Sequence, residues 1–184
     1  MYFFFNISRL LSLIKAKKMS CDGASLGNPG KAGGGGVIRD CEGQWMRGFV
    51  RSIGDTTSIM AEFWALRDGL LLAGQLGVQN LVIELDAKVV VELVQSRSSS
   101  NAFYSSLLAD CRLLLGRFQH YKVQHAFREV NRVADALAKL GCIMKEQFVI
   151  LNAPPSDTIS CFVLSDVNGE SVCRLSAPNL AILA

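Results

Sequence analysis

Leu81-Val-Ile-Glu-Leu-Asp86 is a short, mostly apolar run that stops on an acid. A strand of this kind is buried on both faces, as in a parallel sheet, and a parallel strand needs long crossovers, usually helical. Both flanks supply them. Upstream, Thr56, Thr57 or Ser58 can cap a helix that runs to about Gln75, with Gly77 just past its end. Ala61, Ala65, Leu72, Ala73 and Leu76 recur there at helical spacing. Downstream, Val89, Val90, Leu93 and Val94 predict a second helix.

Farther out, Lys17–Asp22 is a short strand in which Met19 and Cys21 alternate with polar neighbours. Gly23-Ala-Ser-Leu-Gly-Asn-Pro-Gly30 reads as a turn. Gly33–Asp40 and Gln44–Ile53 read as a hairpin joined by Cys41-Glu-Gly43. On the other side, a loop at Arg97–Asn101 precedes a third helix facing inward with Leu107, Leu108, Cys111, Leu114, Leu115 and Phe118. Tyr121–Phe127 alternates as a last strand. Asn131 can then cap a helix from Arg132 to about Leu140, stopped by Gly141. The order β-β-β-α-β-α-α-β-α predicts an α/β fold with a five-stranded mixed sheet and helices on both faces.

The 184 residues are half hydrophobic and 19% charged, enough for one packed domain. The pattern assigns it to residues 17–142, between a leader at 1–16 and a C-terminal extension at 143–184 that carries Pro154-Pro155 and the apolar patch Cys161-Phe-Val-Leu164. Net charge is +4 over residues 1–19, +1 over 20–142 and −2 over 143–184, so the central part is nearly neutral. Charge alone therefore names no nucleic-acid partner. The six cysteines include no CxxC pair, which argues against a zinc site and suits reduced thiols in an intracellular protein. Met1–Ile14 is too short to span a bilayer, so no membrane partner is expected. Phe3, Ile7, Leu10, Leu11 and Ile14 can share a helical face. Its basic, acid-free character suggests organelle targeting, but the first strand begins too soon after it to favour a cleaved transit peptide. Nothing in the chain specifies a compartment or an oligomeric state.

Asp22 and Asp86 close two strands, and parallel neighbours bring their carboxyl ends together, where sites form. Glu62 and Asp135 fall in the first turns of two helices. Each acid alone reads as readily as a turn or cap residue. Converging, the four would repel one another and raise each other's pKa unless a divalent cation joined them. All-oxygen ligands favour Mg²⁺ or Mn²⁺, and two such ions suit in-line phosphoryl displacement. Asp40, Asp68, Glu84 and Glu92 read as solvated or structural.

Five segments carry a family resemblance. They are Cys21-Asp-Gly-Ala-Ser-Leu-Gly-Asn-Pro-Gly30, Gly33-Gly-Gly-Gly-Val-Ile-Arg-Asp40, Met60-Ala-Glu-Phe-Trp-Ala-Leu66, Ile83-Glu-Leu-Asp86 and Phe127-Arg-Glu-Val-Asn-Arg-Val-Ala-Asp-Ala-Leu-Ala138. In this order they resemble the type 1 ribonuclease H family, and most of all the plant ribonuclease H-like domains related to non-LTR retrotransposon reverse transcriptases. Pro154-Pro155 and Asp166-Val-Asn-Gly169 resemble the tails of those domains.

The resemblance implies two-metal endonucleolytic hydrolysis of the RNA strand of an RNA–DNA hybrid. It makes Asp22, Glu62, Asp86 and Asp135 the metal-binding acids and Arg128 a basic assistant at the leaving phosphate, with His125 a rival for that role. Gly23, Ala24, Ser25, Asn28 and Ser58 become candidate substrate contacts, through backbone N–H groups and short polar side chains that read phosphates and 2′-hydroxyls rather than base edges. The chain departs from the family at Ser58-Ile59, where two Asn are common, and at Ala87-Lys88, where Ser-Gln is common. With 48 residues between Asp86 and Asp135, it has no room for the extra basic helix of some members. The alternative expectation is a nucleic-acid-binding ribonuclease H-like module with little or no catalytic activity; a third is an interaction protein.

Overall fold

The computed structural model describes residues 7–96 and 103–168. The predicted loop at Arg97–Asn101, Phe3 and Gly169 lie outside them. The elements are α1 (Ile7–Leu13), β1 (Lys17–Gly27), β2 (Gly30–Arg39), β3 (Trp45–Thr56), α2 (Ser58–Gln75), β4 (Asn80–Leu85), α3 (Lys88–Gln95), α4 (Ser105–Leu115), β5 (His120–His125), a 3₁₀ turn at Arg128–Val130, α5 (Arg132–Ile143), β6 (Phe148–Leu151) and α6 (Asp157–Asn168).

One mixed sheet runs β5-β4-β1-β2-β3-β6. The parallel pairs are β1–β4 and β4–β5; the rest are antiparallel. The sheet has six strands where five were expected. The sixth comes from the extension, whose Phe148–Leu151 pairs with Val50 and its neighbours along the outer side of β3. An open sheet edge attracts any extended, apolar segment within reach, and this one follows α5 directly.

A second correction concerns β1. Gly23–Gly30 is not a turn, because β1 stays paired with β2 residue for residue to Gly27↔Gly30, leaving Asn28-Pro29 as the tip of a long hairpin. Its glycines answer to packing. On β2, an added Cβ at Gly35 would stand 2.4 Å from the Ala138 nitrogen of α5, and one at Gly34 would stand 3.3 Å from the Ala65 Cβ of α2. Glycines alternate along the strand so that helices lie close on both faces.

On one face Phe63, Leu66 and Leu70 of α2 pack with Met19, Cys21, Leu81, Ile83 and Leu85, extended by α3 and α4. Val90, Val91 and Val94 are the inward residues of α3, and Val89 is exposed. On the other face Val133 and Leu137 of α5 join Val37, Val50 and the α6 residues Ile159 and Val163. Each fully buried side chain of this size contributes about 1.5–3 kcal/mol relative to exposure. The extension thus carries part of the second core. At the other end, α1 packs against β5 and β4 and buries Leu11, while Ile7, Leu13 and Ile14 stay exposed.

Thr57 caps α2, its Oγ1 accepting from the Met60 N–H at 3.4 Å. Asn131 precedes α5, but its side chain makes no capping bond. Nor does Gly141 stop that helix, which runs on to Ile143. Gly141 is where α5 lies against β2 and β3, and a Cβ there would meet the Arg51 carbonyl oxygen at 2.3 Å.

Candidate active site

The parallel ladder between β1 and β4 ends at the pair Cys21↔Leu85, so Asp22 and Asp86 stand side by side one residue beyond it. Above them lies α2. Gly23 admits the helix so closely that a Cβ would fall 2.1 Å from the Glu62 nitrogen. The approach drops the Glu62 carboxylate onto the two aspartates, where the Gly23 backbone N–H donates to it. Ligand oxygens of Asp22, Glu62 and Asp86 all lie within 4.8 Å of one another.

Burial sets the electrostatics. Asp22 is 4% and Glu62 6% exposed. Desolvation first, then the charge of Asp86 and a hydrogen bond with it, then Asp135, push the Asp22 carboxyl up to about 8, against the opposing Arg128. Glu62 is raised as well, chiefly by burial and then by Asp22 and Asp86. One of its oxygens, Oε2, is buried without a hydrogen-bond partner. Two buried acids, the half-buried Asp86 and an orphaned carboxylate oxygen form a donor set that a hard divalent cation could satisfy, since hydration-poor oxygens at one point are costly without it.

The fourth acid stands apart. Asp135 lies at the rim, one oxygen 3.4 Å from Arg128 Nη2 and the other 2.7 Å from Lys139 Nζ. Arg128 also reaches Asp86, its Nε 4.0 Å from Oδ2, and its own pKa is raised chiefly by Asp135. His125 lies at the end of β5 with a ring nitrogen 3.1 Å from the Asp86 carbonyl oxygen, and its ring meets Phe127 edge-on.

The candidate substrate contacts gather near the start of α2, largely engaged with the protein itself. Ser25 Oγ donates to the Thr56 carbonyl at 2.9 Å. Asn28 Oδ1 accepts from the Ser58 N–H at 3.1 Å, tying the hairpin tip to α2. The Ala24 carbonyl accepts from Cys142 Sγ at 3.6 Å. The other acids serve structure. Asp68 is buried in an ion pair with Arg51, Glu84 pairs with Lys18 at 3.1 Å, Asp40 accepts two N–H groups of its turn, and Glu92 pairs with Lys88.

Sequence reasoning missed two residues. Asn131 is 2% exposed, and its Nδ2 donates to the Cys21 carbonyl at 3.1 Å. It therefore joins the start of α5 to the strand residue next to Asp22. A polar residue four positions before Asp135 was visible; the competing cap reading hid it. Lys139 was visible as an i,i+4 partner of Asp135.

Residues 20–141 match the reverse transcriptase-like family model. A candidate ribonuclease H protein of Arabidopsis thaliana is 34% identical over 154 residues, which is 84% of this chain but a quarter of that protein. Ribonuclease H1 of the archaeon Halobacterium salinarum superposes with a TM-score of 0.66 at 29% identity, covering 68% of this chain and 96% of that one. LC11-RNase H1, crystallised with an RNA/DNA hybrid, gives 0.62 at 26% identity over 67% of this chain and 94% of its own. With its carboxylates converging beside the end of a β1–β4 parallel ladder, this chain belongs to the reverse transcriptase-like family and carries the type 1 ribonuclease H fold.

Proposed function

We propose that the chain hydrolyses the RNA strand of RNA–DNA hybrids as a metal-dependent endonuclease. The observation that carries this reading is the convergence of Asp22, Glu62 and Asp86, with Glu62 Oε2 buried and unpartnered. Asp22, Glu62 and Asp86 would hold the first of two Mg²⁺ or Mn²⁺ ions, and Asp135 would help hold the second. Bound there, the ions supply Lewis acidity for in-line displacement at phosphorus by water.

The chain's own groups do the rest. Asp22 on β1, Glu62 on α2 and Asp86 one residue past β4 are placed by regular elements of the fold. Arg128, mostly exposed and already between Asp86 and Asp135, can turn outward to neutralise the scissile or leaving phosphate. Backbone around Gly23 and Ala24, with Asn28 and Ser58 at the helix start, offers a surface for phosphate and 2′-hydroxyl contact.

A second reading, a hybrid-binding module with little turnover, draws support from Ser25 and Asn28, whose side chains already bond within the protein. One assay separates the two. The chain and Asp22→Asn are incubated with labelled RNA–DNA hybrid in Mg²⁺, Mn²⁺ or EDTA. Metal-dependent RNA cleavage absent from the variant supports the nuclease; salt-dependent binding without product supports the module.

A further inference from the structure

We infer that Lys139, aided by Arg128, is a built-in counter-cation on Asp135 that competes with divalent metal for it. The inference rests on the metal site proposed above. Each Asp135 oxygen has its own cation, Lys139 Nζ on Oδ2 at 2.7 Å and Arg128 Nη2 on Oδ1 at 3.4 Å. Asp22 and Glu62, by contrast, have no cation at salt-bridge distance among the described residues. Asp135 is also outside the group whose ligand oxygens lie within 4.8 Å of one another.

Helix geometry makes the Lys139 contact a property of the fold. Lys139 follows Asp135 by one turn of α5, in the acid-first order that suits an i,i+4 pair. Its side chain is 59% exposed, so the pair yields to a divalent ion rather than locking the site. Asp22 and Glu62 then stand ready for one ion, Asp86 shares Arg128 at 4.0 Å, and Asp135 joins only after Lys139 as well as Arg128 has been displaced. A substrate phosphate that drew Arg128 away would lower that barrier. Lys139 is thus a positioning residue for Asp135 and sets how much metal is needed to complete the site.

The test is a Mn²⁺ titration of the whole chain without nucleic acid, read by calorimetry and by the metal-induced rise in Tm. Lys139→Met should lower the half-saturating Mn²⁺ concentration by about 2- to 5-fold, the range that an exposed ion pair supports. Lys139→Arg should stay near wild type, and added salt should narrow the gap between Lys139→Met and wild type. Lys139→Gln serves if the Met variant unfolds in EDTA. Unchanged or weaker Mn²⁺ binding by the neutral variants overturns the inference while leaving the metal site standing. Wild-type Mn²⁺ binding that is absent, or indifferent to Asp22→Asn, overturns both.

Discussion

Glu62 and Asp135 each ride in the first turns of a helix laid against the sheet, yet the protein holds them in opposite ways. Glu62 is buried, accepts from the Gly23 backbone N–H, and keeps one oxygen orphaned. Asp135 sits at the rim with both oxygens answered by side chains that can swing away. Backbone and burial give precision. Side-chain ion pairs give adjustability, because an exposed pair is worth about 1 kcal/mol at most. The proposed phosphodiester site would use both: a fixed anchor for one charge, and a partner that can respond to substrate.

Glu62→Gln should cut hybrid cleavage on the order of 10³-fold or more, as loss of an inflexible ligand does, measured by initial rates in saturating Mg²⁺. Asp135→Asn should cost less, about 10- to 100-fold in the same assay, because this ligand is already shared with Lys139 and Arg128. Equal losses would erase the distinction between anchor and rim. Gly23→Ala would sharpen it. The added methyl meets the α2 backbone, so stability should fall by about 1–3 kcal/mol or more in urea titrations, and cleavage should fall with it as Glu62 is displaced.

A further effect is in pH. Asp22 is raised from 3.8 to about 8, so the metal-free native state binds more protons than the unfolded chain between those values. Its contribution to stability is complete below the unfolded pKa and is lost as pH rises toward about 8. In EDTA, Tm should therefore decline from about pH 4 to about pH 8 through this group. Asp22→Asn should flatten the slope, and Mn²⁺ should restore stability most at the alkaline end, where proton release favours binding.

Much of this arrangement was legible in the residues. The run Leu81–Leu85 marked a buried parallel strand, Thr57 and Gly77 bracketed α2, and Asp22 and Asp86 fell where parallel strands present their ends. What was hidden depends on partners distant in sequence. Gly23 and Gly27 look like a turn until β2, beginning at Gly30, is known to pair with them. Gly141 looks like a helix stop until β2 and β3 are seen beneath it. Asn131 looks like a cap because its acceptor, the Cys21 carbonyl, is 110 residues away. The separation of Asp135 from the other acids was equally out of reach, since spacing locates a carboxylate on a helix but not the cations that surround it.

The pairing of Phe148–Leu151 with β3 bears on how the molecule behaves among copies of itself. A fragment ended at residue 142 would keep all four acids yet present the outer row of β3 amides and carbonyls to solvent, a template for strand exchange and fibrous association. It would also remove Ile159 and Val163 from the core cluster they share with Val37, Val50 and Leu137. Through its described residues 148–151 the extension closes that edge of the sheet.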